Sequence, residues 1–116
     1  MNNKSELNVI IIEKNIISNF EEILIKYKSS KDESDLDKLK GYVQYLKNLA
    51  AFAVNQKDRH KELESDITEQ IQELFDIISD LEILISEKKI DEKKYNHIMA
   101  KAEKFKIECN ILSKKF

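Results

Sequence analysis

The residues of this chain that could perform chemistry are concentrated near its middle. The stretch DRHKELE, residues 58–64, holds the only arginine and one of the two histidines. His60 and Glu64 are four residues apart, so on a helix they would lie one turn apart, as two metal ligands do. Such a pair would suit a metal-dependent hydrolase. The candidate residues are Asp58, Arg59, His60, Glu62 and Glu64.

The rest of the chain does not complete a catalytic site around this pair. A zinc site needs three or four ligands, but His97 has no carboxylate four residues away on either side. Cys109 falls on an apolar stripe, where a thiol is usually a small buried hydrophobic group. A glycine-rich phosphate loop is excluded because Gly41 is the only glycine. The sequence therefore predicts no enzyme, no cofactor and no resident metal.

The composition is typical of a small helical protein outside the membrane. Of the 116 residues, 41% are hydrophobic and 36% are charged. The longest apolar run covers only six residues, 49–54, whereas a membrane-spanning helix needs about 18 apolar residues. A single cysteine cannot form an internal disulfide, and no signal sequence is recognisable. We expect one domain, residues 1–116, in the cytoplasm.

Hydrophobic periodicity predicts four helices. The chain has no proline and one glycine, and its apolar residues alternate at spacings of three and four, the pattern of a helix with one buried face. The predicted helices cover about 5–29, 34–56, 58–86 and 91–115. Their buried faces are Val9, Ile12, Ile16, Phe20, Ile23 and Tyr27; Leu36, Leu39, Val43, Leu46, Ala50 and Ala53; Ile67, Ile71, Leu74, Ile78, Leu81 and Ile85; and Tyr95, Ile98, Ala102, Phe105, Cys109, Leu112 and Phe116.

Capping residues mark the predicted turns. Ser30 or Ser34 would cap the second helix, since each is followed three residues later by an acid. Asp91 would cap the fourth helix. The turn between the second and third helices is weakly marked, with Asn55 and Asp58 as its only candidates.

Two architectures fit these helices. The first is an all-α antiparallel up-down four-helix bundle. The second is one long central helix, 34–86, with the flanking helices folded back on it in a coiled-coil-like dimer. The apolar spacing continues in phase through Lys57, His60 and Glu64, which favours one helix, but three polar residues on the stripe favour a break. The bundle is the predicted fold.

The second helix carries more apolar surface than one neighbour covers. Its apolar residues spread over roughly 200° at 100° per residue, so it contacts at least two other helices. Tyr42, Tyr45 and Phe52 are either part of the bundle core or aromatic anchors for a partner. Phe75 and Ile83 lie off the main stripe of the third helix and are further candidates.

Charge is distributed unevenly along the chain. Residues 57–86 carry a net charge of −6, and residues 87–116 carry +4. The acids at three- and four-residue spacing predict an outward stripe that either attracts the basic last helix or docks a basic partner. A net charge of −2 does not favour nucleic acid as a ligand, because phosphate binding depends on positive charge. The stripe consists of Glu62, Asp66, Glu69, Glu73, Asp76 and Asp80.

The expected function is recognition. The chain is interpreted as a small cytoplasmic protein-interaction module of the adaptor, chaperone, immunity or antitoxin type, which binds a protein partner stoichiometrically. The alternatives are a structural coiled-coil homo-oligomer and a metal-dependent hydrolase. Neither membrane nor nucleic acid is an expected partner. The predicted partner-binding residues are Tyr42, Tyr45, Phe52, Phe75, Ile83, Glu69, Glu73, Asp76 and Asp80.

Overall fold

Four α-helices account for nearly all of the described chain. The structure, a computed structural model, describes residues 4–115, with side chains from residue 10 onward. The helices pack in a ring, each against its two neighbours, in the order α1, α2, α3, α4. This is the predicted four-helix bundle, about 47 Å long and 20 Å wide. The helices are α1 (Lys4–Ser30), α2 (Glu33–Arg59), α3 (Glu64–Glu87) and α4 (Glu92–Ser113).

The structure contains the weakly marked turn between α2 and α3, and this turn distinguishes the two predicted architectures. The chain leaves the helix at His60, with φ −129° and ψ 70°, and makes one 3₁₀ turn, Lys61–Leu63, before α3. One continuous helix over 34–86 is therefore wrong, and so is the boundary at 56–58. Continuing the helix would place polar His60 and Glu64 on the buried stripe, whereas the turn buries Leu63 instead.

The other two turns use side-chain caps and left-handed residues. The predicted caps of α2, Ser30 and Ser34, are wrong: Asp32 accepts from the Ser34 amide at 3.0 Å. Asp91 caps α4 as predicted, accepting from the Lys94 amide at 2.7 Å. Lys31 and Lys88 have positive φ, 59° and 54°, the conformation that glycine usually supplies at helix ends.

Replacing Asp91 with alanine is expected to lower the free energy of unfolding by about 1 kcal/mol, because the Lys94 amide loses its acceptor. Chemical denaturation followed by circular dichroism measures the change. Asp91→Ser, which retains a capping oxygen, is the matched control and should stay close to the native value. Equal losses in the two variants would show that the cap does not stabilise α4.

The predicted buried faces of α2 and α4 are confirmed. All six predicted positions of α2 are buried. In α4 the five positions from Ile98 to Leu112 are buried and Tyr95 is half-buried, while Phe116 lies outside the described residues. On α3, Ile71 and Ile85 are only partly buried, and the other four predicted positions are buried. None of the helices in the described part of the chain has the length and hydropathy needed to span a bilayer.

The predicted face of α1 is partly wrong. Ile12 is 49% exposed and Ile16 and Ile23 are only partly buried, although Phe20 and Tyr27 are buried as predicted. The predicted residue Val9 is outside the described side chains. Glu13 explains the error, because its carboxylate occupies a buried position where the pattern predicted an apolar residue. The buried face is Ile10, Glu13, Ile17, Phe20, Leu24 and Tyr27.

Candidate interaction surface

Three of the four interfaces between neighbouring helices are bordered by polar and charged pairs. Between α2 and α3, Lys47 lies 3.2 Å from Glu82. Between α1 and α4, Lys106 lies 2.6 Å from Glu21, and Lys28 lies 2.7 Å from Glu92. The pairs between α3 and α4 are Asp66–Lys115, Glu73–Lys104, Asp76–Lys101, Asp80–His97 and Glu87–Lys94, at 2.7 to 3.3 Å.

The interface between α1 and α2 is different, because aromatic and aliphatic side chains border it. Lys47 marks the side of α2 that faces α3. Tyr45 precedes Lys47 by two residues, so it lies about 160° away around the helix, on the side toward α1. Phe52 follows Tyr45 by seven residues and shares its stripe. Tyr45 is 56% exposed and its ring centroid lies 6.0 Å from that of Tyr42.

The helix α1 contributes isoleucines to the same surface. Lys14, which contacts Asn110 of α4, marks the side of α1 that faces α4. Ile12 and Ile16 lie two residues before and after Lys14, so both are about 160° away, toward α2. Ile23 stands in the same relation to Glu21. We define the α1–α2 face as Ile12, Ile16, Ile23, Tyr42, Tyr45, Leu49 and Phe52.

Three of the seven residues of this face were among the predicted partner-binding residues. Tyr42, Tyr45 and Phe52 were predicted as anchors, and the structure brings them together on one edge of α2. The isoleucines were missed, because the sequence assigned all three of them to the core. The excess of apolar residues on α1 was the available indication, since Ile12, Ile16 and Ile17 cannot all face one narrow stripe.

The remaining apolar candidates lie elsewhere. Phe75 is 51% exposed on the side of α3 toward α2, and Ile83 is 48% exposed on the outer side of α3. Neither residue joins the α1–α2 face. Isolated apolar side chains on a protein surface are common and do not by themselves define a site.

The part of the predicted acidic stripe that lies on α3 meets the basic side of α4. Glu62 was wrongly placed on this stripe, since it lies in the 3₁₀ turn before α3 and contacts His60. Asp76 lies 2.8 Å from Lys101, and Asp80 lies 3.3 Å from His97. This agrees with the interpretation that the stripe attracts the last helix, and it reduces the charge that a basic partner could reach. The prediction that Glu73 points outward is wrong, since Glu73 is only 8% exposed. The apolar positions of α3 span so wide an arc that Glu73 lies at its edge, under α4.

Three carboxylates form the closest acidic cluster in the described part of the chain. One oxygen from each of Glu69, Glu73 and Glu108 lies within 4.8 Å of the others. Burial, together with hydrogen bonding to Glu73, raises the pKa of Glu108 to about 8. The Lys104 ammonium lies 3.0 Å from Glu73 and 4.0 Å from Glu69. A metal cation would have to displace this ammonium, which offsets part of the negative charge of the cluster.

Comparisons with protein-family models, curated proteins and solved structures found no match.

The sequence candidates for catalysis are not assembled into a site. His60 ends α2 and Glu64 begins α3, so the spacing that would join two ligands on one helix is broken by the turn. The Nδ1 atom of His60 lies 3.6 Å from Glu62 Oε1. His97 is on α4 beside Asp80, far along the bundle from Cys109, which is fully buried.

Cys109 belongs to a buried polar group that joins three helices. The Gln70 amide of α3 donates to Glu13 of α1 at 3.0 Å and to the Cys109 sulfur of α4 at 3.3 Å. Burial raises the pKa of Glu13 to about 7 and also raises the pKa of the Cys109 thiol. A thiol with a raised pKa is a poor nucleophile. We therefore interpret this group as part of the packing between the three helices and not as a nucleophilic site.

Proposed function

We propose that this chain is a small protein-interaction module that binds one protein partner in a fixed ratio through the α1–α2 face. The observation that carries the proposal is the group of exposed and half-buried aromatic and aliphatic side chains along this interface. Aromatic and aliphatic side chains line the outer edge here, with Tyr45 56% exposed and Ile12 49% exposed. Tyrosine and phenylalanine anchors surrounded by partly buried apolar residues are characteristic of protein interfaces.

The proposal fits the adaptor, chaperone, immunity or antitoxin type of protein, whose members act by binding and not by catalysis. A helical face that accepts another helix is a common recognition mode. Between residues 10 and 115, the only ion pair that joins α1 to α2 is Lys26–Asp35, at one end of the interface. Most of the α1–α2 face is thus without charge pairs that a partner would have to break. A cytoplasmic location is part of the proposal.

Replacing both Tyr45 and Phe52 with alanine is expected to weaken capture of the partner at least tenfold, because truncating central aromatic anchors typically costs 2 kcal/mol or more. The measurement is affinity purification of the tagged chain from its native cells, with quantitative mass spectrometry. A protein recovered at a fixed ratio to the native chain, and depleted with the double variant, is the expected result.

The matched control is Phe75→Ala with Ile107→Ala. These side chains are 51% and 57% exposed, so the control removes similar apolar surface from other faces. It should capture the partner as the native chain does. Equal capture by the native chain and the Tyr45/Phe52 variant, with helicity retained, would contradict the proposed face.

A further inference from the structure

The α1–α2 face has a basic group at each end. Lys38, Tyr45, Phe52 and Arg59 follow one another at seven-residue intervals along α2, so they form one nearly straight stripe. The two aromatic residues are in the middle, and both basic residues are exposed. The stripe is about 32 Å long at 1.5 Å per residue, which corresponds to a helix of about 20 residues.

The positions of α2 that border the two aromatic residues of this stripe carry no acidic residue. On α2 the positions that flank Tyr45 and Phe52 are occupied by glycine, tyrosine, asparagine, leucine and glutamine. On α1 the outer positions toward α2 are isoleucine, asparagine and lysine. At the Lys38 end the flanking carboxylate is fully buried Asp35, which Lys26 and Lys38 share at 3.8 and 3.9 Å. Two ammonium groups on one carboxylate leave this end of the face positive. At the other end, exposed Glu62 follows Arg59 by three residues and contacts His60.

Gly41 supplies a second observation on the same stripe. It lies one turn before Tyr45, in the interior of α2, where glycine weakens a helix relative to alanine. A Cβ atom built at Gly41 would meet nothing within 4 Å. The packing of the bundle therefore does not require a glycine here. A missing side chain at an exposed position does allow the backbone of another helix to approach closely.

We infer that the partner presents an amphipathic helix of about 20 residues, with an apolar stripe for the aromatic pair and acidic residues near both ends. This inference rests on the proposed function and names the chemistry of its partner. The acids of the partner would meet Lys38 with Lys26 at one end and Arg59 at the other. The backbone of the partner helix lies closest to that of α2 at Gly41.

A second copy of this chain fits the face less well. A two-fold axis that places one α1–α2 face on another in antiparallel orientation brings Lys38 toward Arg59 of the second copy, and like charges then oppose binding. Asp76 and Glu73 of α3 do not supply the missing negative charge, since they already contact lysines of α4. Opposite charge on a different protein removes this repulsion.

A display library of 21-residue peptides tests the inference. Leucine is fixed at the a and d positions of three heptads, and all other positions vary among Glu, Lys, Gln and Ala. The library is selected against the full chain, with counter-selection against the Tyr45→Ala/Phe52→Ala variant. The expected winners carry an excess of Glu near both ends. One winner, measured by calorimetry, should bind one to one and lose at least tenfold in affinity to the double variant.

Gly41→Gln is the sharper variant, because it adds an uncharged side chain where the structure has open space. Its urea midpoint should be equal to or above that of the native chain, while its affinity for the winning peptide should fall at least tenfold. The control Phe75→Ala/Ile107→Ala should bind within twofold of the native chain. Unchanged binding to Gly41→Gln would overturn the close approach of a helix at this point.

The other outcomes separate this inference from the proposed function. Some winning peptides could show no excess of Glu and still lose binding to the double variant. That outcome would overturn the inference of an acidic partner helix, but it would support the α1–α2 face as a binding surface. A library with no winners would overturn the inference, and the affinity purification would then decide the proposed function by itself. A dimer in sedimentation that the double variant dissociates would identify a second copy as the occupant and overturn the inference.

Discussion

Replacing Phe105 with alanine is expected to destabilise the bundle by about 3–5 kcal/mol. Phe105 lies near the middle of α4 and is one of the two largest side chains with no exposed surface, the other being Phe20. Removing its ring loses buried apolar area and leaves a cavity that the surrounding helices cannot fully close. Since domains of this size are typically stable by only about 5–15 kcal/mol, the variant should be near the edge of folding.

Urea denaturation followed by far-ultraviolet circular dichroism measures this effect. The matched control is Ile107→Ala, which truncates an apolar residue two positions away on the same helix but is 57% exposed. The control should change the free energy of unfolding by about 0.5 kcal/mol or less. Similar losses in the two variants would contradict the assignment of Phe105 to the core and of Ile107 to the surface.

Replacing Glu13 with glutamine is expected to stabilise the protein at alkaline pH by roughly 2–3 kcal/mol. The Glu13 side chain is 3% exposed, and its pKa is raised from 4.5 to about 7, chiefly by burial. Between these values the folded protein holds a proton that the unfolded chain has released, so stability falls as the pH rises from 4.5 to 7. Above pH 7 the free energy of unfolding stays lower by the full amount, about 3 kcal/mol for this pKa shift.

Glutamine removes this titration and keeps the shape of the side chain. Its amide oxygen, placed where Glu13 Oε2 lies, can accept from the Gln70 amide and from the Cys109 thiol, as Oε2 does. The stability difference between variant and native protein should therefore be small at pH 4.5, grow through pH 7 and stay constant above it. The raised pKa of Glu108 contributes to the pH dependence of both proteins, so the difference between them isolates Glu13.

Denaturation curves at a series of pH values provide the test. The exposed Glu22→Gln variant on the same helix is the control, and its difference from the native protein should stay within about 0.5 kcal/mol throughout. A constant difference for Glu13→Gln across the whole range would show that Glu13 does not take up a proton on folding.

Only part of the α1–α2 face was predictable from the sequence, for a reason that α2 illustrates. The width of its apolar arc showed that Tyr45 and Phe52 lie at one edge, because that arc follows from the helical repeat alone. Which helix lies against that edge depends on the order of helices around the bundle. Only the packing of α1 beside α2 adds Ile12 and Ile16 to the aromatic pair and makes one face of them.

The burial of Glu13 could not be predicted from the local sequence pattern at all. An acid on an apolar stripe usually indicates the edge of the buried face, so the periodicity of α1 pointed to Ile12 instead. Glu13 is buried because Gln70, 57 positions away in the chain, supplies a hydrogen bond. A partner at that distance leaves no trace in the local pattern.

The sequence by itself determined the four helices, the cap of α4 at Asp91, and the buried stripes of α2 and α4. These features depend on residues three or four apart, and the helical repeat and hydrogen bonding to the nearest amides decide them locally. Only the tertiary structure decided that the acids of α3 contact α4, that Glu13 is buried, and that α1 and α2 share an apolar face. These features depend on which distant segments become neighbours, because the packing of the whole bundle sets those contacts.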